Sequence, residues 1–192
     1  MDYELLILGG GPAGASAALF AARAGLRTLV IDADKGPTRR AMLNNYLGFP
    51  EGITGPDLVE AGRAQATKAG ATWVQATVEE LRATDGGYLV KLEDGGEHTA
   101  ARLLLAQGRS VKLAEALGVT TVPNADGKSS HIGTDREGRT NLPGVWAAGY
   151  GTGITMHALV TAGDGARVAI NLISELRGVP LRDHDVMPAP EA

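Results

Sequence analysis

The sequence predicts an α/β domain that consists of a parallel sheet, flanking helices and one small antiparallel hairpin. Three patterns indicate this fold class. A short apolar run, a glycine-rich turn and an alanine-rich stretch follow one another over residues 3–24, as in a strand that leads into a closely packed helix. An apolar run at 145–148 precedes a long helical pattern near the C-terminus. Between them, the turn at 94–96 separates two strand-like segments.

The N-terminal elements form a strand–helix–strand unit. Residues 3–8 are short, apolar and ended by glycine, which is typical of a buried parallel strand. Residues 12–24 are rich in alanine, so we expect a helix that packs closely on the sheet, with Gly25 as its C-cap. Residues 27–31 are a second buried strand, and the three elements make a βαβ unit of about thirty residues.

The middle of the chain predicts one helix and four strands. Pro56 suits the first turn of a helix, because an N–H at that position would have no partner within the helix. The Asp-Gly-Gly turn at 94–96 joins two segments with alternating or continuous apolar residues, which is a hairpin signal. The predicted elements are a loop over 34–54, a helix over 56–69, strands over 72–75 and 77–81, and hairpin strands over 88–92 and 98–105.

The C-terminal part predicts one further buried strand and a long helix. Residues 145–148 form the strand, which ends at a glycine, and residues 156–177 carry the helical pattern. Before them we expect a short helix or connection over 111–117. Residues 124–139 are rich in Gly, Asp and Ser and predict irregular structure with one short strand near 130–132.

Length and charge bound the possible functions. A chain of 192 residues is long enough for one well-formed core, so we expect one domain over 1–180 and a loosely ordered tail over 181–192. The net charge of -4 does not favour a nucleic-acid surface. No apolar stretch reaches about 18 residues, which predicts no membrane-spanning helix. The chain enters a strand without a basic leader, and this favours a cytoplasmic location.

The chain has no cysteine. Disulfides, thiolate metal sites and cysteine nucleophiles are therefore excluded on this chain. The four histidines show no metal-ligand spacing such as i and i+4, so the sequence predicts no metal site.

A glycine motif follows the first strand directly. Gly9 permits a tight turn, Gly11 lets the main chain approach a pyrophosphate, and Gly14 allows close packing of helix and strand. The free N–H groups at the start of the helix then face the phosphates. Asp32 lies about twenty residues further on, where an acid accepts hydrogen bonds from a ribose. The motif predicts a Rossmann-like dinucleotide site but leaves NAD and FAD open.

A second informative segment, residues 140–149, has the sequence Thr-Asn-Leu-Pro-Gly-Val-Trp-Ala-Ala-Gly. Together with the glycine motif, it resembles the FAD-binding domain of the thioredoxin reductase family of pyridine nucleotide-disulfide oxidoreductases. The resemblance implies that this strand, ending at Gly149, passes beside the ribityl chain of FAD. Tyr150 stands where the family has an aspartate that bonds a ribityl hydroxyl, so that contact must be remade or lost here.

Further segments resemble the same family. Residues 45–50 resemble a stretch near the isoalloxazine ring, and residues 106–108 correspond to the family's Ala-Thr-Gly. Val78 falls where a main-chain group meets the adenine, and His157 replaces a polar residue at the helix start that faces the flavin. The cofactor-binding residues that the motif and the resemblance imply are Gly9, Gly11, Pro12, Ala13, Gly14, Asp32, Ala33, Asn45, Val78, Ala106, Gly108, Gly149, Tyr150, His157 and Ala158.

The resemblance covers residues 1–109 and about 117–178. Between them, residues 109–116 stand where the family inserts a whole NAD(P)H domain. No second Gly-x-Gly-x-x-Gly occurs in the chain, and the family's redox-active Cys-x-x-Cys is absent. In the family the FAD domain carries much of the dimer contact, so the resemblance implies a homodimer.

The expected function is that of a FAD-binding flavoprotein, an oxidoreductase related to thioredoxin reductase. Its electrons would come from a partner protein or another external donor. One alternative is a non-enzymatic flavin-binding or redox-sensing module. Another is an NAD-binding Rossmann protein, which leaves residues 140–149 unexplained. The sequence assigns no catalytic acid or base.

Overall fold

The computed structural model of the protein describes residues 1–185. Its helices are α1 (Pro12–Arg23), α2 (Gly55–Lys68), α3 (Lys112–Leu117) and α4 (Ala158–Arg177), and 3₁₀ turns cover Pro37–Arg40 and Tyr150–Thr152. Its strands are β1 (Tyr3–Leu8), β2 (Thr28–Asp32), β3 (Met42–Leu43), β4 (Ile53–Thr54), β5 (Thr72–Gln75), β6 (Val78–Thr84), β7 (Gly87–Leu92), β8 (Glu97–Leu105), β9 (Thr121–Pro123), β10 (Ser130–Ile132) and β11 (Val145–Ala147).

One sheet of seven strands carries the fold. Its order is β5-β2-β1-β8-β7-β6, and β11 lies beside β8. The pairs β5–β2, β2–β1, β1–β8 and β8–β11 are parallel, whereas β8–β7 and β7–β6 are antiparallel. Strand β8 serves both parts, because its end (103–105) pairs with β11 and its beginning (97–100) pairs with β7. The parallel strands end at one edge of the sheet, where ligands bind in open α/β folds.

The two faces of the sheet bury two apolar cores. Because side chains alternate along a strand, Leu5 and Ile7 of β1 face α1 and α4, whereas Leu6 and Leu8 face the side covered by α3 and β10. All four side chains are at most 1% exposed. Fully burying one leucine or isoleucine contributes about 1.5–3 kcal/mol relative to leaving it exposed. These cores therefore fix the sheet edge from which the site is built.

Helices α1 and α4 approach each other closely through small residues. Ala17, Ala18 and Ala21 of α1 are fully buried. At Gly165 of α4, an added Cβ atom would overlap the carbonyl oxygen of Ala13. The alanine-rich sequence of α1, from which the sequence predicts close packing, thus places the start of that helix directly against α4.

The predicted fold class is confirmed, and the antiparallel part is larger than predicted. The sequence predicts a short strand over 77–81, but β6 extends to Thr84 and pairs with β7. Its outward side chains include Glu79, Glu80 and Arg82. Because these residues are charged, the segment lacks the apolar pattern from which a strand is predicted. The predicted hairpin, β7 and β8, is therefore part of a three-stranded antiparallel extension in which β6 is the edge strand.

Two connecting regions contain more regular structure than the sequence predicts. The predicted loop over 34–54 includes a 3₁₀ turn and the two-residue pair of β3 with β4. The short strand predicted near 130–132 is present as β10, and it pairs with β9, which the sequence does not predict. Short pairs of this kind carry too few residues for a periodic signal.

The last described residues contact the body of the protein. The Leu181 N–H donates to Ser174 Oγ at 2.9 Å. Asp183 accepts from the Nε and Nη2 atoms of Arg23 at 2.9 and 2.8 Å, and Asp185 accepts from Nη2 at 2.9 Å. The rest of the expected tail, residues 186–192, lies outside the described residues.

Candidate functional site

A large cleft opens at the edge where the parallel strands end. Its volume is about 960 Å³, which is at the upper end of the range of roughly 300–1,000 Å³ for ligand sites. The predicted site residues that line it are Gly9, Gly11, Pro12, Ala13, Asp32, Ala33, Val78, Ala106, Gly108 and Tyr150. Two segments more than a hundred positions apart in the chain therefore meet in one cleft.

The three glycines of the motif have different surroundings. Gly9 has φ +100°, and an added Cβ would overlap the carbonyl oxygen of Ala106. A Cβ on Gly14 would overlap the Gly9 oxygen, since α1 begins against the turn. Gly11 differs, because no atom lies within 4 Å of its added Cβ. Two glycines thus serve packing, and the third leaves the main chain open to the cleft.

The start of α1 leaves N–H groups available to an anion. Gly11 is the N-cap and provides no side-chain cap, and Pro12 occupies the first turn. Main-chain N–H groups at a helix start carry partial positive charge and bind phosphate groups. The open face of Gly11 and this helix start together form a site for a pyrophosphate.

Asp32 lies at the end of β2, beside the glycine turn. Its carboxylate oxygen Oδ2 is 2.7 Å from the position that a Cβ on Gly10 would take, and Trp73 crowds the same position. Asp32 and Ala33 both line the cleft. The acid therefore sits where it can accept hydrogen bonds from a ribose next to the pyrophosphate.

The second segment forms another part of the cleft wall. Strand β11 ends at Ala147, Ala148 lines the cleft, and Gly149 turns the chain with φ +83°. Tyr150 then begins a 3₁₀ turn and lines the cleft. The guanidinium carbon of Arg109 lies 5.6 Å from the centre of the Tyr150 ring, which is a cation–π contact.

Five predicted residues do not line the cleft. Gly14 and Gly149 are packed behind its wall, as an added Cβ on Gly149 would lie 2.7 Å from Ala13 Cβ. His157 is the N-cap of α4, and its Nδ1 atom lies 2.6 Å from Thr155 Oγ1. Ala158 follows in the first turn of α4 and is 8% exposed. Near this helix start, Met156 and Thr161 line the cleft instead.

Asn45 lies in the turn that follows β3, away from the cleft wall. Its neighbour Tyr46 packs edge-to-face on Phe49, with ring centroids 5.8 Å apart. Partial burial raises the pKa of the Tyr46 phenol. In the same loop Leu47 is 84% exposed.

The sequence predictions missed residues of the crossing segment that follows β8. Arg109, Ser110 and Lys112 line the cleft, so this segment folds back along it. Gln107 also lines the cleft, and its Oε1 atom is buried without a hydrogen-bond partner among residues 1–185. The only sequence signal for this group is its position directly after a strand of the parallel sheet.

Asp164 is a further residue that the sequence predictions missed. Its Oδ2 atom accepts the Gly149 N–H at 2.7 Å, and its Oδ1 atom accepts from Arg167. An acid within a helix resembles a solvated surface residue in the sequence. Nothing in the spacing alone shows that it reaches the end of β11.

Among residues 1–185, no group of three or more His, Asp or Glu side chains has an arrangement that could hold a metal ion. Within the same range, no helix is both long and apolar enough to cross a membrane.

Comparison with known families decides between the dinucleotides. A family model described as pyridine nucleotide-disulphide oxidoreductase matches residues 50–165, and one described as FAD binding domain matches residues 2–45. The chain belongs to the pyridine nucleotide-disulphide oxidoreductase family. The FAD-binding match includes the glycine motif and Asp32, and it indicates FAD as the cofactor of this family member. The predicted family and cofactor are thereby confirmed.

Characterised members of this family align with only part of their length. The chain is 35% identical over 119 residues to the bifunctional thioredoxin reductase/thioredoxin of Mycobacterium leprae, covering 60% of this chain and 26% of that protein. It is 39% identical over 98 residues to NADPH-dependent thioredoxin reductase 3 of Arabidopsis thaliana, covering 47% and 18%. The chain thus spans less than half the length of these relatives.

Solved structures share the fold of this oxidoreductase family member. A thioredoxin reductase from Gloeobacter violaceus superposes with a TM-score of 0.81 at 19% identity, covering 97% of this chain and 99% of that one. The atypical thioredoxin reductase TRi from Desulfovibrio vulgaris Hildenborough gives 0.75 at 24% identity, covering 92% and 98%. At these identities the likeness concerns the fold alone.

The residues of the cleft fit FAD. The open face of Gly11 and the uncapped start of α1 suit the pyrophosphate, and Asp32 suits the ribose of the ADP half. The Tyr150 part of the cleft offers a ring and the Arg109 cation to the remaining, flavin-bearing half.

Proposed function

We propose that the protein is a FAD-dependent oxidoreductase related to thioredoxin reductase, with electrons supplied by a partner protein or another external donor. The observation that carries this proposal is the meeting of the Gly11 turn, Asp32 and Tyr150 in one cleft. The isoalloxazine ring, when bound, supplies the electron-transfer chemistry. The protein supplies binding, orientation and electrostatics.

The first task of the chain is to hold the ADP half. The main chain at Gly11 and the helix start would donate hydrogen bonds to phosphate oxygens. Asp32 would accept from ribose hydroxyls, which would also select FAD over FMN because FMN lacks that ribose. In this proposal the flavin-bearing half of the molecule extends toward Tyr150.

The second task is to shape the surroundings of the flavin. Thr161 and Met156 lie on the same wall as Tyr150, at the start of α4. The positive end of this helix stabilises negative charge on nearby groups. His157, the N-cap, is exposed and does not line the cleft, so the contact near the ring that the sequence predicts for it is not part of this proposal.

The electron donor and the electron acceptor have to be other molecules than this chain. The chain has no cysteine, so it lacks the dithiol that the resemblance would lead one to expect as the electron acceptor. With no second Gly-x-Gly-x-x-Gly, this chain has no motif that would hold NAD(P)H for hydride transfer. We therefore propose a separate redox partner. The same two features also favour a second candidate, a flavin-binding or redox-sensing module without turnover.

We further propose a homodimer in the cytoplasm. The adjacent apolar side chains Leu159 and Val160 of α4, which are 40% and 45% exposed, support an interface. Light scattering at tens of micromolar tests the dimer, and a monomer at that concentration would exclude it. Cell fractionation tests the location.

The experiment that tests the proposed function starts from a visible spectrum of the purified protein. Oxidised-flavin absorption after purification or reconstitution with FAD is expected, and a protein that takes up no FAD would overturn the proposal. Photoreduction followed by reoxidation with added acceptors then separates an oxidoreductase from a module without turnover. Stopped-flow reduction by NADPH should be slow and unsaturable. Saturation at sub-millimolar NADPH with turnover above about 1 s⁻¹ would reveal a coenzyme site on this chain.

A further inference from the structure

Asp164 carries a nearly buried carboxylate behind the wall of the cleft. Its side chain is 9% exposed. The Oδ2 atom accepts the Gly149 N–H at 2.7 Å, and the Oδ1 atom accepts from Arg167 Nε and Nη2 at 3.0 and 2.7 Å. Arg167 is itself held by the carbonyl oxygen of Arg136. A buried charge is costly unless it is paired and hydrogen-bonded, and both conditions are met here.

The main chain at Gly149 is fixed from both sides. Its N–H is bound by Asp164, and its carbonyl oxygen accepts from Thr152 N and Thr152 Oγ1 at 3.0 and 2.9 Å. Its conformation, φ +83° and ψ -159°, is accessible to glycine, and Ala13 stands where a side chain would go. The direction of the chain after Gly149 therefore depends on these few bonds.

Asp164 reaches the cleft only through this main-chain bond. Ala148 and Tyr150, on either side of Gly149, line the cleft, whereas Gly149 and Asp164 do not. Thr161, three residues before Asp164 on α4, also lines it. A carboxylate at this corner thus acts on the main chain, at the residue that directly precedes Tyr150. Because Arg167 pairs with it, it adds no unbalanced negative charge beside the cleft.

We propose that Asp164 is a positioning residue for cofactor binding: by holding the Gly149 N–H, it sets the direction in which Tyr150 enters the cleft. This inference rests on the proposed binding of FAD. The bond to Gly149 carries the effect, and Arg167 balances the charge of the carboxylate. An uncharged acceptor in the same place should therefore preserve most of the effect.

Titration of the apoprotein with FAD, followed by flavin fluorescence, tests the inference. Wild-type binding is measured first, because its absence would overturn the proposed function itself. Asp164→Ala should raise the Kd for FAD by about tenfold or more, since the Gly149 N–H loses its partner. Asp164→Asn keeps an oxygen that can accept this N–H, and Arg167→Met removes the ion pair and the bond to the Arg136 carbonyl oxygen but leaves the Gly149 bond. Both should stay within about threefold of wild type.

A double-mutant cycle with Tyr150→Ala separates positioning from general stabilisation. If Asp164 acts through Tyr150, then Asp164→Ala should change the Kd much less in the Tyr150→Ala background. The same factor in both backgrounds, an unchanged Kd for Asp164→Ala, or an equal loss for Arg167→Met would each overturn the inference. If Asp164→Ala yields no folded protein, Asp164→Ser replaces it. Its hydroxyl is one bond too short to reach Gly149, and the same result is expected.

Discussion

Two walls of the cleft are built from different parts of the chain. The glycine-turn wall consists of residues 9–13 with Asp32 and is backed by Gly14, and the tyrosine wall consists of Ala148 and Tyr150 with Arg109 and Thr161 and is backed by Gly149. In the first, main-chain atoms pack so closely that side chains at Gly9 and Gly14 would collide with them. In the second, the surface toward the cleft is formed by side chains whose positions are set from behind.

This difference explains where the chain departs from the thioredoxin reductases it resembles. A wall made of main chain leaves little freedom, because side chains at Gly9 and Gly14 would each strike a main-chain atom. A wall made of side chains accepts replacements, provided that the main chain behind it stays in place. Tyr150, at a position where the resemblance implies an acid, is such a replacement, and the bond that the Gly149 N–H donates to Asp164 keeps the main chain in place.

The largest effect is expected from two glycines of the same wall. Gly14→Ala should destabilise the protein by about 3 kcal/mol or more, because its Cβ overlaps the Gly9 oxygen. Gly11→Val should change stability by only about 1 kcal/mol, since no atom lies near its Cβ and its φ of -67° suits any residue. It should nevertheless abolish FAD binding by filling the pyrophosphate position. Urea unfolding and FAD titration measure the two effects. Equal stability of the two variants would contradict the assigned packing.

Asp32→Ala should have the next largest effect. Loss of the carboxylate leaves ribose hydroxyls without an acceptor, which should weaken FAD binding by roughly 1–3 kcal/mol. FMN is the control ligand, because it lacks the ADP half. Wild type should bind FMN much more weakly than FAD, and the variant should bind FMN as wild type does. Equal affinity of wild type for FMN and FAD would place the flavin in another part of the molecule.

Substitution of Arg109 should weaken FAD binding less than substitution of Asp32, and it should weaken FMN binding as well. Arg109→Met removes the cation over the Tyr150 ring, a contact worth about 0.5–1 kcal/mol at an exposed site. FAD and FMN should weaken by a similar factor, about two- to fivefold, because both ligands carry the flavin half. Tyr150→Phe keeps a ring beneath Arg109 and should bind nearly as wild type. A large loss in that variant would instead assign the contact to the phenolic oxygen.

The glycine-turn wall could be predicted from the sequence because the three glycines of its motif lie close together in the chain. Each of them is explained by the lack of a side chain. Most helices and strands were predictable for a similar reason, since β1, α1 and α4 carry continuous apolar patterns. The tyrosine wall was predictable only through resemblance, and only in part. Arg109 and Asp164 contact it through tertiary interactions that the spacing of residues in the sequence does not indicate. Likewise, the full length of β6 could not be predicted because its outward side chains are charged.

The smallest effect is expected far from both walls, where Arg23 of α1 holds Asp183. The hydrogen bond from Arg23 lowers the pKa of the Asp183 carboxyl below its ordinary value of 3.8. A carboxyl whose pKa is lowered on folding stabilises the folded state above its unfolded value, and this stabilisation is lost as the pH falls through the folded value. Asp183→Asn should therefore be less stable than wild type at about pH 7, and the difference should vanish below the lowered pKa.

Urea unfolding of both proteins across this pH range measures the difference directly, because acid effects on other carboxyl groups are common to the two proteins. FAD affinity at neutral pH should be the same for both, since Asp183 contacts the helix at Arg23, at the end opposite to Gly11. A difference that persists at low pH would show that the charge of Asp183 is not what matters. Weaker FAD binding in Asp183→Asn would show that the C-terminal end of α1 is coupled to the glycine-turn wall. That wall would then not be the independent unit that its construction implies.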